Sequence, residues 1–263
     1  MKDVLINLIA AAVWVALGAI AARAATFLRD RLPTRSILRL DARKSLFIVT
    51  NSVESRNPEI GGPVTGIGAL QAVGLAREAI ARSYPRLLLR TRVVFSVGLP
   101  AEALQSNLIC IGGRKYNQIT SLFEHYFEPR FDFQANNQGK IGVRSASTVI
   151  RDTITDKVYE PELDRSGNDY QIDYGVITSL PNPFNPRARV ILLAGAHTYG
   201  VAAAGHVLER GNIKQLTGAL SGVSGNSWQI LIQATCIGLD ATPRIVEVAS
   251  IQPLQEVRQR EVG

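Results

Sequence analysis

The stretch VLINLIAAAVWVALGAIAA, Val4 to Ala22, carries no charge and a single strongly polar residue, Asn7. Coiled as a helix at about 1.5 Å per residue, it approaches the ~30 Å hydrocarbon thickness of a bilayer. A buried helix of a soluble protein is seldom apolar on every face, whereas this segment is. A secretory signal peptide has a shorter apolar core and a small-residue cleavage site, and arginine at the centre of Ala22-Arg23-Ala24 fits that rule poorly. The sequence therefore predicts an uncleaved transmembrane anchor over residues 1–27.

The flanks orient the anchor. Lys2 stands beside Asp3 before it, whereas Arg23, Arg29, Arg31, Arg35, Arg39, Arg43 and Lys44 follow it, opposed only by Asp30 and Asp41. The positive-inside rule puts the C-terminal part in the cytoplasm, with the chain held in an inner membrane. Residues 28–44 read as a basic juxtamembrane stalk, an amphipathic helix broken at Pro33, with Ile37, Leu38 and Leu40 on its apolar side. This cluster supplies much of the formal charge of +7 and suits anionic lipid headgroups, so the charge needs no nucleic-acid partner. Ala12, Ala16, Gly18, Ala19 and Ala22 put small residues on the membrane helix, which favours close helix contacts and a homo-oligomer.

Residues 45–263 read as one domain, within the size that a single core can serve. SLFIVTN, LLLRTRVVFSV (Leu87 to Val97) and NLICI (Asn107 to Ile111) read as strands, with a helix over Gly68 to Tyr84 and a short helical turn over Pro100 to Gln105. Leu70, Val73, Ala76 or Arg77, and Ile80 recur at helical spacing on that helix. Strands alternating with helices imply parallel crossovers and an α/β sheet. Phe131 to Phe133, Lys140 to Arg144, Thr148 to Ile154 and Lys157 to Tyr159 read as a β-hairpin insertion. DYQIDYGVITSL is a further strand, PNPFNP a rigid loop, and RVILL (Arg189 to Leu193) the strand after it. Trp228 to Ile237 and Arg244 to Ile251 form a C-terminal antiparallel hairpin around a turn at Asp240 to Pro243. Cys110 and Cys236 read as small buried hydrophobes, and no cysteine or histidine spacing suggests a metal.

Two strands end in corners of similar design. Gly112 and Gly113 are followed by Arg114, Lys115 and Asn117; Gly195 is followed by His197, Thr198, Tyr199 and a helix rich in small residues. A glycine after a parallel strand permits positive φ and close backbone approach, and the next helix offers free N–H groups to a phosphate or carboxylate. Arg114 would add charge-assisted bonds. The alternative is packing alone, with Asn117 and Thr198 as helix N-caps. Neither corner has a Walker or GxGxxG pattern, so nucleoside triphosphate hydrolysis finds no support and no cofactor is implied.

In an open α/β sheet ligands gather beyond the carboxyl ends of the strands. Asn51, Ser52, Glu54, Gly61, Gly62 and Thr65 should meet both corners there, giving a polar site for ribose hydroxyls, an amide or a phosphate. Glu54 could serve as nucleophile or base in a nucleoside- or NAD-processing enzyme, with His197 as an acid or base; His125 and His206 show no evident partner. Asp173-Tyr174-Gly175 and Asn182 to Pro186 read as structural corners, or as a lid stacking Tyr174 or Phe184 on a base.

NLICIGGRKYNQIT and NPFNPRARVILLAGAHTYGVAAA resemble the paired motifs, strand-GG with a later Asn and strand-AG with a later Gly and Ala run, of Rossmann-like domains in archaeal S-layer-type proteins. They are also similar to the sugar-nucleotide and nucleotide-sensor Rossmann-like domains of bacterial defence proteins. The resemblance implies a Rossmann-like, mostly parallel sheet. Together these readings lead to a membrane-anchored cytoplasmic sensor of a nucleotide-like small molecule, possessing a defence-effector output. The competing expectations are an anchored hydrolase or transferase using Glu54, and a non-catalytic interaction scaffold.

Overall fold

The computed structural model describes residues 2–54, 63–136, 148–164 and 169–254. In chain order these form helix α1 (Lys2–Thr26), a π-helical turn (Phe27–Arg31), α2 (Leu32–Leu38), β1 (Leu46–Thr50), β2 (Val53–Glu54), β3 (Pro63–Val64), α3 (Ile67–Ser83), α4 (Pro85–Leu88), β4 (Thr91–Phe95), β5 (Asn107–Ile111) and α5 (Gln118–Glu124). There follow β6 (Phe131–Ala135), β7 (Thr148–Asp152), β8 (Val158–Tyr159), β9 (Glu162–Leu163), β10 (Tyr170–Asn182), β11 (Asn185–Gly195), α6 (Thr198–His206), α7 (Ile213–Leu220), β12 (Trp228–Ile237) and β13 (Asp240–Ser250).

The fold is mixed α/β. Its main sheet has the order β13-β12-β10-β11-β5-β1-β4, with β9 paired to β10 beside that path. β4, β1, β5 and β11 are mutually parallel. β10 and β13 run against their neighbours, so the sheet is mostly parallel in direction and turns antiparallel towards β13. β6, β7 and β8 form a second, antiparallel sheet.

Alternate residues of each strand point to opposite faces, and here both faces are covered. Ile48, Ile109, Ile191 and Ile230 look towards α3, α6 and α7, packing on Ala72, Ala203 and Leu216. Val49, Cys110 and Leu192 look the other way, onto Phe123 and Phe127. Further along that second face the small sheet covers Val176 and Leu231 with Phe131 and Ile150. This double burial explains the unbroken apolar runs in LFIVT and NLICI, whose ten residues are all buried.

α1 is long and apolar enough to cross a membrane by length and composition, and the hydrophobic window that marks the span is nowhere buried by the rest of the chain. Trp14 and Val15, each 73% exposed, would meet lipid rather than water. The helix does not break at Pro33. It passes through the π turn into α2, whose first turn holds the proline, and the missing N–H of Pro33 takes one bond from the continuous helix beside that turn. Ile37, Leu38 and Leu40 belong to the core, so the end of the basic segment is built into the body.

Other boundaries differ from the sequence reading for local reasons. Leu87 and Leu88 finish the short helix α4, and the strand begins only at Thr91, since Pro85 starts a helical turn well. PNPFNP is a tight hairpin turn: Asn182 pairs with Asn185, its side chain accepts from the N–H of Phe184, and β10 and β11 extend well beyond the apolar runs. The C-terminal hairpin turns at Gly238 and Leu239, with Gly238 at φ 60°, and residues 240–243 are already strand. α7 was not foreseen. Lys140 to Arg144 and the tail from residue 255 lie outside the described residues.

α3 buries an alanine stripe, Ala69, Ala72, Ala76 and Ala79 with Ile80, and leaves Leu70 58% exposed. The stripe faces α6 because small side chains let two helices touch backbone to backbone. A Cβ on Gly205 would lie 2.7 Å from Ala72 Cα, and one on Gly200 would lie 2.1 Å from the Tyr174 carbonyl oxygen of β10. Gly74 of α3, by contrast, faces open space.

Gly200→Ala should therefore destabilise the fold by about 3 kcal/mol or more, since overpacking against backbone cannot relax by a rotamer change. Gly74→Ala should stabilise it by about 0.5–1 kcal/mol through helix propensity. Unfolding midpoints of the detergent-solubilised variants check both; equal shifts in the same direction would contradict this packing.

Candidate functional site

The four parallel strands end together. Thr50 is level with Phe95 on one side and Ile111 on the other, and Ile111 is level with Leu193. From β1 the chain passes through α3 to β4 on one side, then returns to β5 on the other. The order thus reverses between β1 and β5, and successive connections leave that gap in opposite directions. A crevice at such a point is where open α/β sheets hold ligands.

Gly112 sits in this gap at φ 101°, a backbone conformation that L side chains rarely adopt. A Cβ there would lie 2.9 Å from Asn51 Cβ, so the glycine also makes room for Asn51. The ladder continues past the strands through Asn51 N–H to the Ile111 carbonyl (3.0 Å) and Gly112 N–H to the Leu193 carbonyl (2.8 Å). Thr65, just before α3, donates its hydroxyl to Asn51 Oδ1 at 2.7 Å, and Thr50 Oγ1 lies 3.1 Å from Thr65 Oγ1. Ser52 Oγ lies 3.5 Å from Ser96 Oγ at the end of β4. The side chains described here are hydroxyls and an amide, which bind polar ligands without titrating near neutral pH.

Asn117 is wholly structural. Its Oδ1 accepts from Ile119 and Thr120 N–H, capping α5, while its Nδ2 donates to the carbonyls of Val49 and Ile111. One buried amide thereby ties β1, β5 and α5 around the crevice. Arg114 does not offer its charge to the glycine corner: it pairs with Asp132 at 3.1 Å and Glu124 at 3.5 Å, and donates to the Phe133 carbonyl. Burial still pushes Glu124 up to about 7. Gly113 is half-buried at the crevice, and Lys115 stands 5.2 Å over the Tyr116 ring.

No protein-family model matches the sequence, and no curated protein matches it. The meaning of the site rests on its geometry.

The second corner is filled by the protein itself. Asp173 of β10, fully buried, accepts from the N–H of Gly200 at 2.6 Å and of Tyr174 at 2.8 Å. A carboxylate thus lies at the N-terminus of α6, the place where an external anion would bind. His197, rather than Thr198, occupies the N-cap position, and the Thr198 hydroxyl instead accepts from Gly68 N–H at 3.1 Å, joining this corner to the start of α3. Gly195 packs against the α6 backbone, where a Cβ would meet Val201 N at 2.3 Å.

His197 and Tyr199 face a separate cluster. The His197 ring stacks on Tyr170 at 4.4 Å, with Nε2 3.1 Å from the Tyr170 hydroxyl, and burial lowers its pKa, favouring neutral imidazole. The Tyr199 hydroxyl lies 2.9 Å from both Asp169 Oδ1 and the Gly238 carbonyl. Cys236 is pushed up to about 12 by burial, with Asp173 and Asp169 adding to the effect, so it is a thiol rather than a nucleophilic thiolate. His125 and His206 do have partners, the Ser121 carbonyl and Glu209.

The lid reading fails on position. Phe184 lies at the other end of the strands, in the β10–β11 turn, packed on Phe123 and Tyr126; Tyr174 packs on Tyr159. Glu54 lies in β2, paired with Pro63, and Gly61 and Gly62 lie outside the described residues. Ser96 was missed by the sequence reading, although a serine directly after an apolar strand was its signal.

Asn117→Ala should cost at least ~2 kcal/mol of stability, because it strips two buried carbonyls and two helix N–H groups of their partner. Its unfolding midpoint in denaturant checks this. For Asp173, burial outweighs its hydrogen bonds and pushes the carboxyl up from 3.8 to about 6. The folded protein then holds this proton more tightly than the unfolded chain does. The group's contribution to stability is therefore greatest below about pH 4 and declines as pH rises to about 6, by on the order of 1–3 kcal/mol. Asp173→Asn should remove that slope, read from unfolding midpoints against pH; a variant that keeps the wild-type slope would exclude Asp173 as its source.

Proposed function

We propose that the chain is a membrane-anchored sensor whose cytoplasmic Rossmann-like domain binds a nucleotide-type small molecule in the β1–β5 crevice. The observation that carries this reading is the reversal of strand order at that gap, where Gly112 at positive φ makes room for Asn51. The order β4-β1-β5 is like the 2-1-3 start of doubly wound nucleotide-binding sheets, which bind at such a reversal, although β11 is reached through the antiparallel β10. The hydroxyl and amide lining suits ribose and base edges, and α3 starts beside it.

The route to the membrane supports sensing. α3 begins at Ile67, two residues after Thr65, and runs for seventeen residues, about 25 Å, to Ser83. There the Ser83 carbonyl accepts from Arg35 Nε of α2 at 2.8 Å, and Tyr84 packs under the Arg35 guanidinium at 5.1 Å. α2 is the continuation of the membrane helix. A ligand that shifts α3 thus moves the anchor, and small residues on α1 favour a homo-oligomeric output such as a membrane effector of bacterial defence. The arginines after the anchor support a cytoplasmic domain through the positive-inside rule.

Thermal unfolding of the full chain in detergent, with AMP, ATP, cyclic nucleotides and NAD, tests the reading. One class should raise the melting temperature by roughly 5–10 °C at a hundredfold excess over its Kd, without turnover, and Asn51→Ala should abolish the rise. Turnover that Glu54→Gln abolishes with binding kept would replace the sensor by an enzyme. A flat response to the whole panel would defeat both.

A further inference from the structure

On the face of the main sheet away from α3 and α6, the segment 157–162 arches from β8 to β9 above β10, β12 and β13. It leaves a cavity of about 440 Å³, within the size range of small-molecule sites and remote from the β1–β5 crevice. The floor is one cross-strand row, since Tyr174 is level with Gln233 and Gln233 with Arg244. Residues paired in this way share a face. Tyr159 closes one side, its ring 5.6 Å from that of Tyr174 and tilted by 58°, with its hydroxyl anchored on Glu247.

The charges are what select a ligand. Arg244 donates to the Gln233 side-chain oxygen, a neutral acceptor, which leaves both N–H donors of the Gln233 amide nitrogen outside that bond. Among the described residues neither Arg244 nor Glu162 has an ion-pair partner, although both line the cavity beside the Tyr174 phenol, whose pKa is raised by burial first and by Glu162 second, with Arg244 opposing. Opposite charges left unpaired around two aromatic rings suit a molecule that carries both signs and a ring. The lining is balanced, Lys157 and Arg244 against Glu160 and Glu162, so it suits a molecule of no net charge better than the phosphates of a nucleotide.

We propose that this cavity binds a zwitterionic α-amino acid with an aromatic side chain. Arg244 and the Gln233 amide take its carboxylate, Glu162 its ammonium group, and its ring lies against Tyr174, Tyr159 and Val246. The site is separate from the crevice, so the full chain would answer to two ligands.

Titration calorimetry of the full chain in detergent with L-tryptophan and L-phenylalanine tests this, with glycine and indole as the two halves of the ligand and AMP as a planar anion. The expected result is saturable binding of an aromatic amino acid, weakened roughly tenfold or more by either half alone and by Arg244→Gln or Glu162→Gln. Arg244 and Glu162 are exposed, and unchanged unfolding midpoints would show that these variants fold. Asn51→Ala should leave the binding intact, which separates this site from the crevice. Absence of binding to the wild type below about 1 mM, binding that survives both substitutions, or preference for AMP overturns the proposal.

Discussion

The contact of α6 with β10 on one side and α3 on the other sets the spacing of this fold. A helix normally stands off a sheet by the length of its side chains, but α6 meets the Tyr174 carbonyl at Gly200 and Ala72 at Gly205, with no side chain between. That closeness brings the N–H groups at the start of α6 within reach of Asp173 and the Thr198 hydroxyl within reach of α3. It also draws the antiparallel and parallel halves of the sheet under one helical layer, so the carboxyl ends of β1 and β5 stand level with the start of α3.

Two corners of like design therefore come to different ends. At the second, the helix N-terminus is closed by a buried carboxylate from the same chain, which satisfies its N–H groups and leaves them unavailable to an outside anion. At the first, the polar groups are half-buried hydroxyls and an amide, with the backbone bent away at Gly112. A strand followed by glycine and a helix describes both equally well. What separates them is a residue twenty-two positions upstream of Gly195, brought opposite α6 by the β10–β11 hairpin.

Much of the framework was legible because it rests on local signals. NLICI gave the bounds of β5, capping was one of the two roles open to Asn117, α3 was placed to within a residue at each end, and the charge-free run marked α1. The parts that were not legible depend on partners distant in sequence. Leu70 looked like the core side of α3, but the neighbour is a helix of small residues, which selects the alanine stripe instead. Arg114 looked free to bind an anion until β6 supplied Asp132. PNPFNP looked like a loop because three prolines hide a hairpin whose ladder resumes on either side.

The junction between α1 and the domain has a geometric meaning of its own. Helix α1, the π turn and α2 form one uninterrupted rod, and α2 is gripped by Ser83, Tyr84 and the core. Such a rod transmits twist as well as push. Each residue advances the helical phase by about 100°, so the azimuth of every face of α1 is locked to the face that α2 shows to α3. A π turn holds one more residue per turn than an α-helix and resets that phase at Phe27–Arg31. The azimuth of the anchor relative to the crevice is thus written into the length of this joint, as the angle of a key's teeth is set by its shaft.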